Sequence, residues 1–510
     1  SGHTQGVGCT SVSAVGKVVA SAAGWSDRQV HVWDAATGKL LRSVISRDHA
    51  VFRCEVSRDG RLLVTAGTEG TLQLWDLASG KELNQFRFGD TGSGLPANDG
   101  PCFRLTQDGK RLAAVGHASF NQDGQCVLCV WDTTNGKQIA RRPFSVDYMS
   151  RPTGNGGSHR RVRFHSCFSD DGALVTAWDR AQLQVTEVLT GRTRATILGD
   201  LGSPTAFSPD NRLLAAGIHQ AGVDPFEPKV EAIGLFETVT GKEVLRLATG
   251  VGRNIAFSPD GRFLATSDRE SMRIWDIDTG RQAFSRSWPK GLGPFSTWPA
   301  VLSLAFYPDG KSLVTGMADG TLLVWDMTPL NRTSAAAVPF DRETVERLWK
   351  DLGGDDARAA HRARAHLIML SAEFLTFLNG HPPLVHPVDA RRVETLVANL
   401  SSGQFAVREA ASHELANMID QAEPLLKRAA ESNPSPEVRR RIATLLAAPY
   451  PLPKSERLQN LRVIATLEQI GISEARDVLR KVARGDEWAR ETRAAKEALA
   501  RLERRAAMRD

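Results

Sequence analysis

Residues 70–76 read Gly70-Thr71-Leu72-Gln73-Leu74-Trp75-Asp76, a short run in which apolar and polar side chains alternate before a Trp-Asp pair. Alternation with a period of two is typical of a β-strand with one buried face. The same ending recurs at Trp33-Asp34, Trp131-Asp132, Trp275-Asp276 and Trp325-Asp326, with the variants Thr186-Glu187 and Phe236-Glu237 between them. These seven copies lie about 40 to 55 residues apart, a period that predicts a radial array of β-sheets rather than a helical solenoid.

One repeat unit, residues 52–86, contains four predicted strands joined by tight turns. The first turn is Ser57-Arg58-Asp59-Gly60, where glycine supplies the positive φ that the turn requires. The second turn is Thr68-Glu69-Gly70, and the third is Ala78-Ser79-Gly80-Lys81. Four short antiparallel strands in about 40 residues form a meander, so we predict that each unit is one blade.

The turn sequences recur together with the strands. Ser-Pro-Asp-Gly or a variant stands at the first turn, as in Ser258-Pro259-Asp260-Gly261, and Thr-Gly-Lys or a variant stands at the third, as in Thr240-Gly241-Lys242. With five Trp-Asp pairs and two variants in register, residues 1–330 resemble the WD40-repeat family. The resemblance implies an all-β, seven-bladed propeller.

The resemblance also implies a structural hydrogen-bond network in each blade, which joins a His, a Ser or Thr, an Asp and the Trp. A buried indole N–H needs an acceptor, and a chain of such bonds stabilises the blade. Because these residues recur once per blade, we interpret them as structural and not as a catalytic group. They are His3, Ser21, Asp27 and Trp33 in the first blade; His49, Thr65 and Trp75, with Glu69 in the Asp position, in the second; Trp131 in the third; Trp275 in the sixth; and Thr315, Asp319 and Trp325 in the seventh.

The seventh unit departs from the pattern. Trp325-Asp326 is followed by Met327-Thr328-Pro329-Leu330, which contains neither a Gly-Lys turn nor a fourth strand. An open ring of sheets leaves a strand edge, and meander propellers commonly close by pairing strands from the two chain ends. We therefore expect the closing outer strand to be missing from residues 1–330 and to lie upstream of Ser1.

Length variation falls at one end of the predicted blades, which we call the looped face: the second turns and the links between blades. Its insertions span residues 89–100, 117–125, 145–161, 219–230 and 288–299. Long loops on a rigid scaffold often carry binding residues, and exposed Trp, Tyr and Arg dominate protein–protein contacts. We predict that this face binds a partner protein, although these aromatic residues could instead only pack the loops. The candidate partner-binding residues are Trp25, Phe120, Tyr148, Arg151, Arg160, Arg161, Trp178, Phe226, Trp288, Phe295 and Trp298.

The sequence pattern changes from residue 338 onward. Glycine becomes scarce, and the apolar period becomes helical, as in Val345, Leu348, Trp349 and Leu352. Ser435-Pro436 indicates a helix start, with an N-cap serine before a proline at the first helical position. We predict a linker at residues 331–340 and an all-α domain at residues 341–510.

Two predicted helices repeat each other: Val407, Arg408, Ala411 and Leu415 recur 31 residues later as Val438, Arg439, Ile442 and Leu446. This pattern resembles a HEAT-type repeat, in which helix pairs stack into a solenoid and bind proteins along one face. A WD40 propeller followed by a HEAT-like helical domain is similar to an arrangement found in bacterial proteins, so we expect a bacterial origin.

Composition narrows the class of protein. The chain has 510 residues, of which 41% are hydrophobic and 24% charged, as in a soluble protein of more than one domain. No apolar run is long enough to span a membrane, and a formal net charge of +6 does not by itself indicate nucleic acid. The arginine-rich segments 439–441 and 501–505 alternate with glutamates, which favours a salt-bridged helix surface. We predict a cytoplasmic protein that binds neither membrane nor nucleic acid.

Six cysteines lie in predicted strands of the first half. Cys126 and Cys129 have the spacing of a redox or zinc pair, but residues three apart on a strand point to opposite faces. We interpret them as buried and inert, which fits a reducing compartment. The pairs His361/His366 and His381/His386 lack a shared helix face, so we expect no metal and no cofactor.

These features favour a non-catalytic scaffold whose looped face binds a partner protein or peptide and whose helical domain offers a second surface. One alternative is a hydrolase that uses the top mouth of the propeller, with His159, His219, Asp224 and Glu227 as candidate residues. The sequence contains no nucleotide loop or nucleophile elbow that would support it. Another alternative is a regulatory module of a larger chain with an upstream effector domain. The partner and the oligomeric state are not predicted.

Overall fold

The computed structural model describes most of both predicted domains. The described residues are 3–23, 27–47, 50–67, 71–88, 102–117, 126–144, 148–152, 158–162, 166–179, 182–219, 230–248, 254–268, 271–288, 301–332, 342–381, 384–385, 389–432, 435–448 and 455–507. They divide into two compact units: one contains the β-strands up to Asp326, and the other contains the α-helices from Arg342 onward.

The β-unit is a seven-bladed propeller of antiparallel sheets, as predicted. Five blades have four consecutive strands. Blade 1 is β1 (Cys9–Val12), β2 (Val18–Ala22), β3 (Gln29–Asp34) and β4 (Leu40–Ile45); blade 2 is β5 (Val51–Val56), β6 (Leu62–Gly67), β7 (Thr71–Asp76) and β8 (Glu82–Arg87); blade 3 is β9 (Cys102–Leu105), β10 (Arg111–His117), β11 (Cys126–Asp132) and β12 (Gln138–Phe144). A separate hairpin, β13 (Tyr148–Pro152) and β14 (Ser158–Val162), follows blade 3.

The remaining blades complete the ring. Blade 4 is β15 (Leu174–Asp179), β16 (Gln182–Glu187) and β17 (Thr193–Leu198), with a single bridge from Phe168 to Val175 at its inner edge; blade 5 is β18 (Leu201–Phe207), β19 (Leu213–His219), β20 (Val230–Glu237) and β21 (Glu243–Leu247); blade 6 is β22 (Asn254–Phe257), β23 (Phe263–Ser267), β24 (Ser271–Asp276) and β25 (Arg281–Ser287); blade 7 is β26 (Val301–Phe306), β27 (Ser312–Met317) and β28 (Leu322–Asp326). Within the described residues, blade 7 therefore has three strands, and a 3-10 helix at Thr328–Arg332 follows β28.

In blades 1, 2, 3 and 6, the acid of the Trp-Asp pair closes the third turn of its blade. Asp76 accepts hydrogen bonds from the backbone N–H of Ser79 at 2.7 Å and from its hydroxyl at 2.6 Å. These bonds lower the pKa of Asp76, because they stabilise the ionised carboxylate. Asp34 makes the same pair of bonds with Thr37. The Trp-Asp ending thus fixes a tight turn as well as a strand.

The repeat tryptophans seal the spaces between blades. Trp75 of blade 2 lies in a buried cluster with Val32 and Val44 of blade 1, and Trp131 of blade 3 packs on Phe86 and Phe88 of blade 2. A buried aromatic side chain of this size removes about 150–250 Å² from water, which makes each such contact a major part of the interblade core.

The ring closes between blades 7 and 1 through their inner strands. The backbone N–H of Val7 donates to the carbonyl of Met317 at 3.0 Å, and the Ser303 hydroxyl donates to the carbonyl of Val7 at 3.2 Å. Trp33 of blade 1 packs in the same cluster as Val314 of blade 7. Blade 1 therefore packs on blade 7 through its repeat tryptophan, as blades 2 and 3 pack on the blades before them.

The second unit is all-α, as predicted. Its described helices are α1 (Arg342–Gly353), α2 (Ala357–Met369), α3 (Ser371–Asn379), α4 (Ala390–Asn399), α5 (Phe405–Asn417), α6 (Ile419–Ser432), α7 (Pro436–Ala447), α8 (Ser455–Ile470), α9 (Ser473–Ala483) and α10 (Arg490–Ala507). Ser435 caps α7, since its hydroxyl accepts from the N–H of Val438 at 3.5 Å. None of the described helices is both long enough and apolar enough to cross a bilayer.

Two buried clusters hold the helical unit together. One joins α1, α2, α3, α8, α9 and α10, with Phe374 and Leu467 fully buried. The other joins α4, α5, α6 and α7, and it contains Ala411, Leu415, Val438 and Ile442 from the two helices that repeat each other in sequence. The periodicity thus identified the buried faces of α5 and α7; the HEAT-like name for this unit stays a prediction.

Candidate partner-binding face

A chain of hydrogen bonds fixes the base of the looped face in blade 1. The indole N–H of Trp33 donates to Ser21 Oγ at 2.8 Å, and Ser21 Oγ lies 2.9 Å from His3 Nε2. His3 Nδ1 lies 2.8 Å from Asp27 Oδ2. Burial lowers the pKa of His3, which favours a neutral imidazole that accepts from Ser21 and donates to Asp27. The network joins the chain before β1 to the second turn.

Three other blades keep the indole–hydroxyl part of this network. The N–H groups of Trp75, Trp275 and Trp325 donate to Thr65, Thr266 and Thr315, each at 3.0 Å. Blade 3 differs, because Ala114 occupies the position that corresponds to Thr65, and Trp131 is held by the aromatic rings described above. His49 and Glu69 lie outside the described residues.

Aspartates shape the second turns of blades 6 and 7. Asp268 accepts from the N–H of Ser271 at 2.7 Å and pairs with the guanidinium of Arg273 at 2.6 Å. Asp319 accepts from the N–H of Thr321 at 2.9 Å and from its hydroxyl at 2.6 Å. The strands below the looped face are therefore rigidly positioned even though most of the loops lie outside the described residues.

The hairpin β13–β14 lies in the insertion at residues 145–161, apart from its last residue Val162, and it carries four of the predicted partner-binding residues. Its register pairs Tyr148 with Val162, Arg151 with His159, Ser150 with Arg160 and Met149 with Arg161. The expectation of a loop in this insertion is wrong for the paired residues, because backbone pairing gives them regular structure of their own. The pattern was missed because the hairpin belongs to no repeat unit.

The other predicted partner-binding residues divide into three groups. Trp178 lies on β15 opposite Leu183, so it belongs to a strand and not to the second turn. Trp288 is half-buried and packs edge-on against Trp325, with 6.2 Å between ring centroids, beside Val301 and Met317. Blade 7 thus covers part of Trp288, and the role of this residue in partner binding stays a prediction. The residues outside the described part of the chain are Trp25, Phe120, Phe226, Phe295 and Trp298.

The alternative enzymatic residues do not form a described catalytic group. His219 Nδ1 lies 3.5 Å from Asp200 Oδ1, and the His219 ring packs over Gly202. His159 lies on β14, whereas Asp224 and Glu227 are outside the described residues. In the part of the chain that the structure describes, no three His, Cys, Asp or Glu side chains are grouped so that they could hold a metal ion.

The end of the propeller opposite the looped face, which we call the short-turn end, consists of the first and third turns. These turns are joined by backbone hydrogen bonds, as between the N–H of Leu77 and the carbonyl of Arg61 at 2.8 Å. Each first turn is closed internally, as where Ser57 Oγ donates to Asp59 at 2.7 Å. The short-turn end is thus uniform, unlike the looped face.

Sequence reasoning missed an ionic cluster near the short-turn end. Arg104 on β9 lies 3.7 Å from Glu55 on β5 and also pairs with Asp170 of blade 4. Burial raises the pKa of Glu55 to about 7, although the N–H of Leu105 donates to it at 3.1 Å. The cluster joins three blades, and no repeat pattern marks it.

Several basic residues of the helical unit are neutralised by neighbours. Arg441 lies 2.8 Å from both Glu409 and Glu437. Glu468, which is 2% exposed, pairs with both Arg501 and Arg505. The pair of Arg441 with Glu437 matches the salt-bridged helix surface that the sequence predicts, whereas Glu468 binds its two arginines in a buried site.

The chain is similar to known proteins in its repeat units. The family model described as "WD domain, G-beta repeat" matches residues 1–34, 38–76, 246–276 and 293–326. Each matched segment ends at a Trp-Asp pair of blade 1, 2, 6 or 7.

Three relatives show the same similarity over short segments. "Cross-pathway control WD-repeat protein 2" of Flammulina velutipes is 35% identical over 94 residues, which are 18% of this chain and 30% of the relative. "Eukaryotic translation initiation factor 3 subunit I" of Schizosaccharomyces pombe is 25% identical over 22% of this chain and 26% of the relative. "Small ribosomal subunit protein RACK1y" of Oryza sativa subsp. japonica is 37% identical over 16% of this chain and 24% of the relative. Each alignment thus covers less than a third of the relative's length, and all three organisms are eukaryotes, so the bacterial origin stays a prediction.

Proposed function

We propose that this chain, a seven-bladed propeller of WD40 repeats followed by an all-helical unit, is a non-catalytic scaffold for protein–protein interaction. A partner protein or peptide binds to the looped face, and the helical unit offers a second binding surface. Two moderate contacts on one chain raise the overall affinity, because the second contact forms at a high effective concentration.

The observation that supports this proposal best is the difference between the two ends of the propeller. At the short-turn end, turn residues satisfy one another's hydrogen bonds, as Ser258 and Asp260 do at 2.5 Å. At the looped face, the same rigid blades carry insertions of different lengths, and one insertion forms the hairpin β13–β14. Variable segments on a fixed scaffold are a common arrangement for recognition.

The hairpin is the part of the looped face that we assign to partner contact. Three of its ten paired positions are arginines, Arg151, Arg160 and Arg161, and Tyr148 begins its first strand. Arginine and tyrosine are enriched in the energetically important centres of protein interfaces. The partner surface that fits these residues carries acidic groups, which a guanidinium binds through charge-assisted hydrogen bonds.

The second surface lies at the start of α5. Phe405 is 67% exposed, and the guanidinium of Arg408 lies 5.8 Å from its ring centroid. An exposed aromatic ring beside an arginine is chemically suited to a peptide contact. It lies on one of the two helices that repeat each other, and the resemblance of these helices to HEAT-type repeats implies protein binding along one face.

The printed names of the relatives agree with a role in assemblies. One relative is named as a ribosomal subunit protein and another as a subunit of a translation initiation factor. We extend from them to this chain only the general role of a component of a protein assembly. A cytoplasmic location is a further part of our proposal.

The proposal is tested with charge-reversed variants of equal size. The first variant carries Arg160→Glu and Arg161→Glu and reverses two charges on the hairpin. The control carries Lys39→Glu and Lys81→Glu and reverses two charges at exposed third turns of the short-turn end. Proteins that co-purify from native lysate are identified, and the dissociation constant of the main one is then measured with purified protein. We expect at least a tenfold loss of affinity for the hairpin variant and less than a twofold change for the control.

Circular dichroism verifies that both variants fold. The affinity of a third variant, Phe405→Ala, is measured in the same way, and a several-fold loss of affinity in this variant supports the second surface. Equal losses in both charge variants, or no loss in the hairpin variant, would refute the looped face as the binding site.

A further inference from the structure

Cys9 and Cys54 lie against each other between the inner strands of blades 1 and 2. Their sulfur atoms are 3.8 Å apart, and the backbone N–H of Cys54 donates to Cys9 Sγ at 3.3 Å. A second bond between the same strands runs from the N–H of Val56 to Ser11 Oγ at 3.0 Å. The two bonds hold β1 and β5 in a register that keeps the thiols together.

We propose that Cys9 and Cys54 form an oxidisable thiol pair that closes to a disulfide between blades when the protein reacts with a hydroperoxide. A disulfide bond is about 2.05 Å long, so the two sulfur atoms, which are 3.8 Å apart, must move closer to each other by about 2 Å. We attribute this approach to rotation about the two Cα–Cβ bonds, with β1 and β5 kept in their register. Nothing in the scaffold function requires this pair.

The two thiols differ in the way that a nucleophile and a resolving thiol should. The hydrogen bond from Cys54 lowers the pKa of the Cys9 thiol, with a smaller contribution in the same direction from Arg53, while burial and Glu55 oppose it. The same contact, together with burial, raises the pKa of Cys54 well above its usual value. Cys9 is half-buried, whereas Cys54 is only 5% exposed. Because the thiolate is the reactive form, Cys9 is the residue that reacts first.

The chemistry proceeds in two balanced steps. The Cys9 thiolate attacks one oxygen of the hydroperoxide, the O–O bond breaks, and the departing oxyanion takes up a proton as water or alcohol. Cys9 is thereby oxidised to a sulfenic acid. Cys54 then loses its thiol proton and attacks Cys9 Sγ; the S–O bond breaks, and hydroxide leaves with that proton as water. The hydroperoxide is the two-electron oxidant for the pair.

Burial raises the thiol pKa of three other cysteines, which makes them poor competitors even though Cys167 is half-buried, as Cys9 is. Burial raises the pKa of Cys129 to about 11, that of Cys167 to about 12, and that of Cys102 above its ordinary value. Cys126 and Cys129 lie in buried clusters on opposite faces of β11, with blade 4 and blade 2 respectively. Oxidation should therefore be selective for Cys9 and Cys54.

The cross-link would stabilise the blade at which the ring closes. Blade 1 contacts blade 7 through Val7 and Met317, and the disulfide would tie its other side to blade 2. A covalent link that closes a long loop restricts the unfolded chain, so the oxidised protein should unfold at a higher temperature.

Peptide mapping tests the proposal directly. The reduced protein is treated with hydrogen peroxide, quenched with N-ethylmaleimide, denatured and digested with trypsin without reduction. We expect one dominant linked product, in which the peptide that contains Cys9 and ends at Lys17 is joined to residues 54–58, with the other four cysteines still available for alkylation after denaturation. Dithiothreitol should reverse the link, and the melting temperature should rise by several degrees on oxidation.

Two variants separate the roles of the thiols. Cys54→Ser should leave Cys9 as a sulfenic acid that dimedone traps, and Cys9→Ser should abolish the link and leave Cys54 unoxidised. Cys129→Ser is the matched control, in which the link should form as in the unmodified sequence. The proposal is wrong if the linked peptide is absent from folded, peroxide-treated protein, or if other cysteine pairs link in equal yield; this readout on the unmodified sequence needs no variant to fold.

Discussion

The repeat tryptophan is the residue on which five of the seven blades depend. Its ring packs on the preceding blade, and its N–H bonds to a hydroxyl inside its own sheet in blades 1, 2, 6 and 7. One side chain therefore links packing between blades with hydrogen bonding within a blade. Because both contacts recur with the repeat, the positions of Ser21, Thr65 and Thr315 could be assigned from sequence alone.

Removing the hydroxyl of Ser21 should be costly. Ser21 is fully buried and bonds to both Trp33 and His3, so Ser21→Ala leaves a buried indole N–H without its acceptor. We expect a loss of about 1–3 kcal/mol in the free energy of unfolding. Urea denaturation measures it, with Thr279→Ala in an exposed third turn as the control, for which the loss should be smaller. Equal losses in both variants would contradict the structural role of the network.

His3 should make stability depend on pH. Burial lowers its pKa, and the nearby His31 adds to this effect while Asp27 opposes it. The unfolded chain binds a proton near the ordinary histidine value of about 6.5, whereas the folded chain does so only at lower pH. The unfolded state therefore binds more protons as the pH falls below about 6.5, and the stability due to neutral His3 is lost there.

Comparison with His3→Gln isolates this contribution. Between about pH 7.5 and about pH 5.5, the unmodified protein should lose more free energy of unfolding than the variant, which has no titrating group at this position. Urea unfolding at both pH values provides the measurement. Parallel pH dependences would exclude His3 as the source.

Some contacts between residues could not be predicted from the sequence. Cys9 and Cys54 belong to different repeat units, and their proximity arises only when the inner strands of two blades meet. The same holds for Arg104 with Glu55, and for Trp288, whose environment is set by blade 7. Periodicity predicts which face of a strand is buried, but not which residue of another unit lies opposite.

Strands and helices also differ in how well the sequence predicts them, according to whether they repeat a pattern or occur only once. Blade strands and the helices α5 and α7 repeat a pattern, so a single sequence shows them several times. The hairpin β13–β14 occurs once, inside an insertion, and the helices α2 and α3 have no counterpart; none of these was predicted. A local signal is reliable when it is repeated or when specific capping chemistry marks it, as Ser435 and Pro436 mark the start of α7.

The outer strand edge of blade 7 yields a prediction about elements. Val324 on β28 is 58% exposed, whereas Val130, which holds the same position before a repeat Trp on β11, is 2% exposed. In the described residues, β28 pairs only with β27, but β11 pairs with strands on both sides. Val130→Ala should cost about 2–3 kcal/mol, from lost burial and the cavity left behind, and Val324→Ala less than about 0.5 kcal/mol.

Chemical denaturation of these two variants measures the contrast. The side chain and the strand position are matched, so intrinsic strand propensity cancels. A cost at Val324 as large as that at Val130 would show that another segment covers β28.

At the scale of the whole molecule, the propeller presents one uniform end and one variable end. The short-turn end repeats the same Ser-Asp and Asp-Thr hydrogen bonds from blade to blade, as in Ser208 with Asp210 and Asp276 with Thr279. The looped face joins the same blades through segments of different length. The architecture followed from the repeat, because each unit had to bury its faces against its neighbours; the identity of the partner depends on loop residues that no repeat constrains.

Site-specific photo-crosslinking measures most directly where a partner binds. A benzophenone amino acid is placed at residue 160 in the hairpin or at residue 81 in an exposed third turn, and the cells that natively express the protein are irradiated. The account predicts covalent adducts with one dominant partner protein from residue 160 and none above background from residue 81. Adducts of equal yield from both positions, or from residue 81 alone, would contradict it.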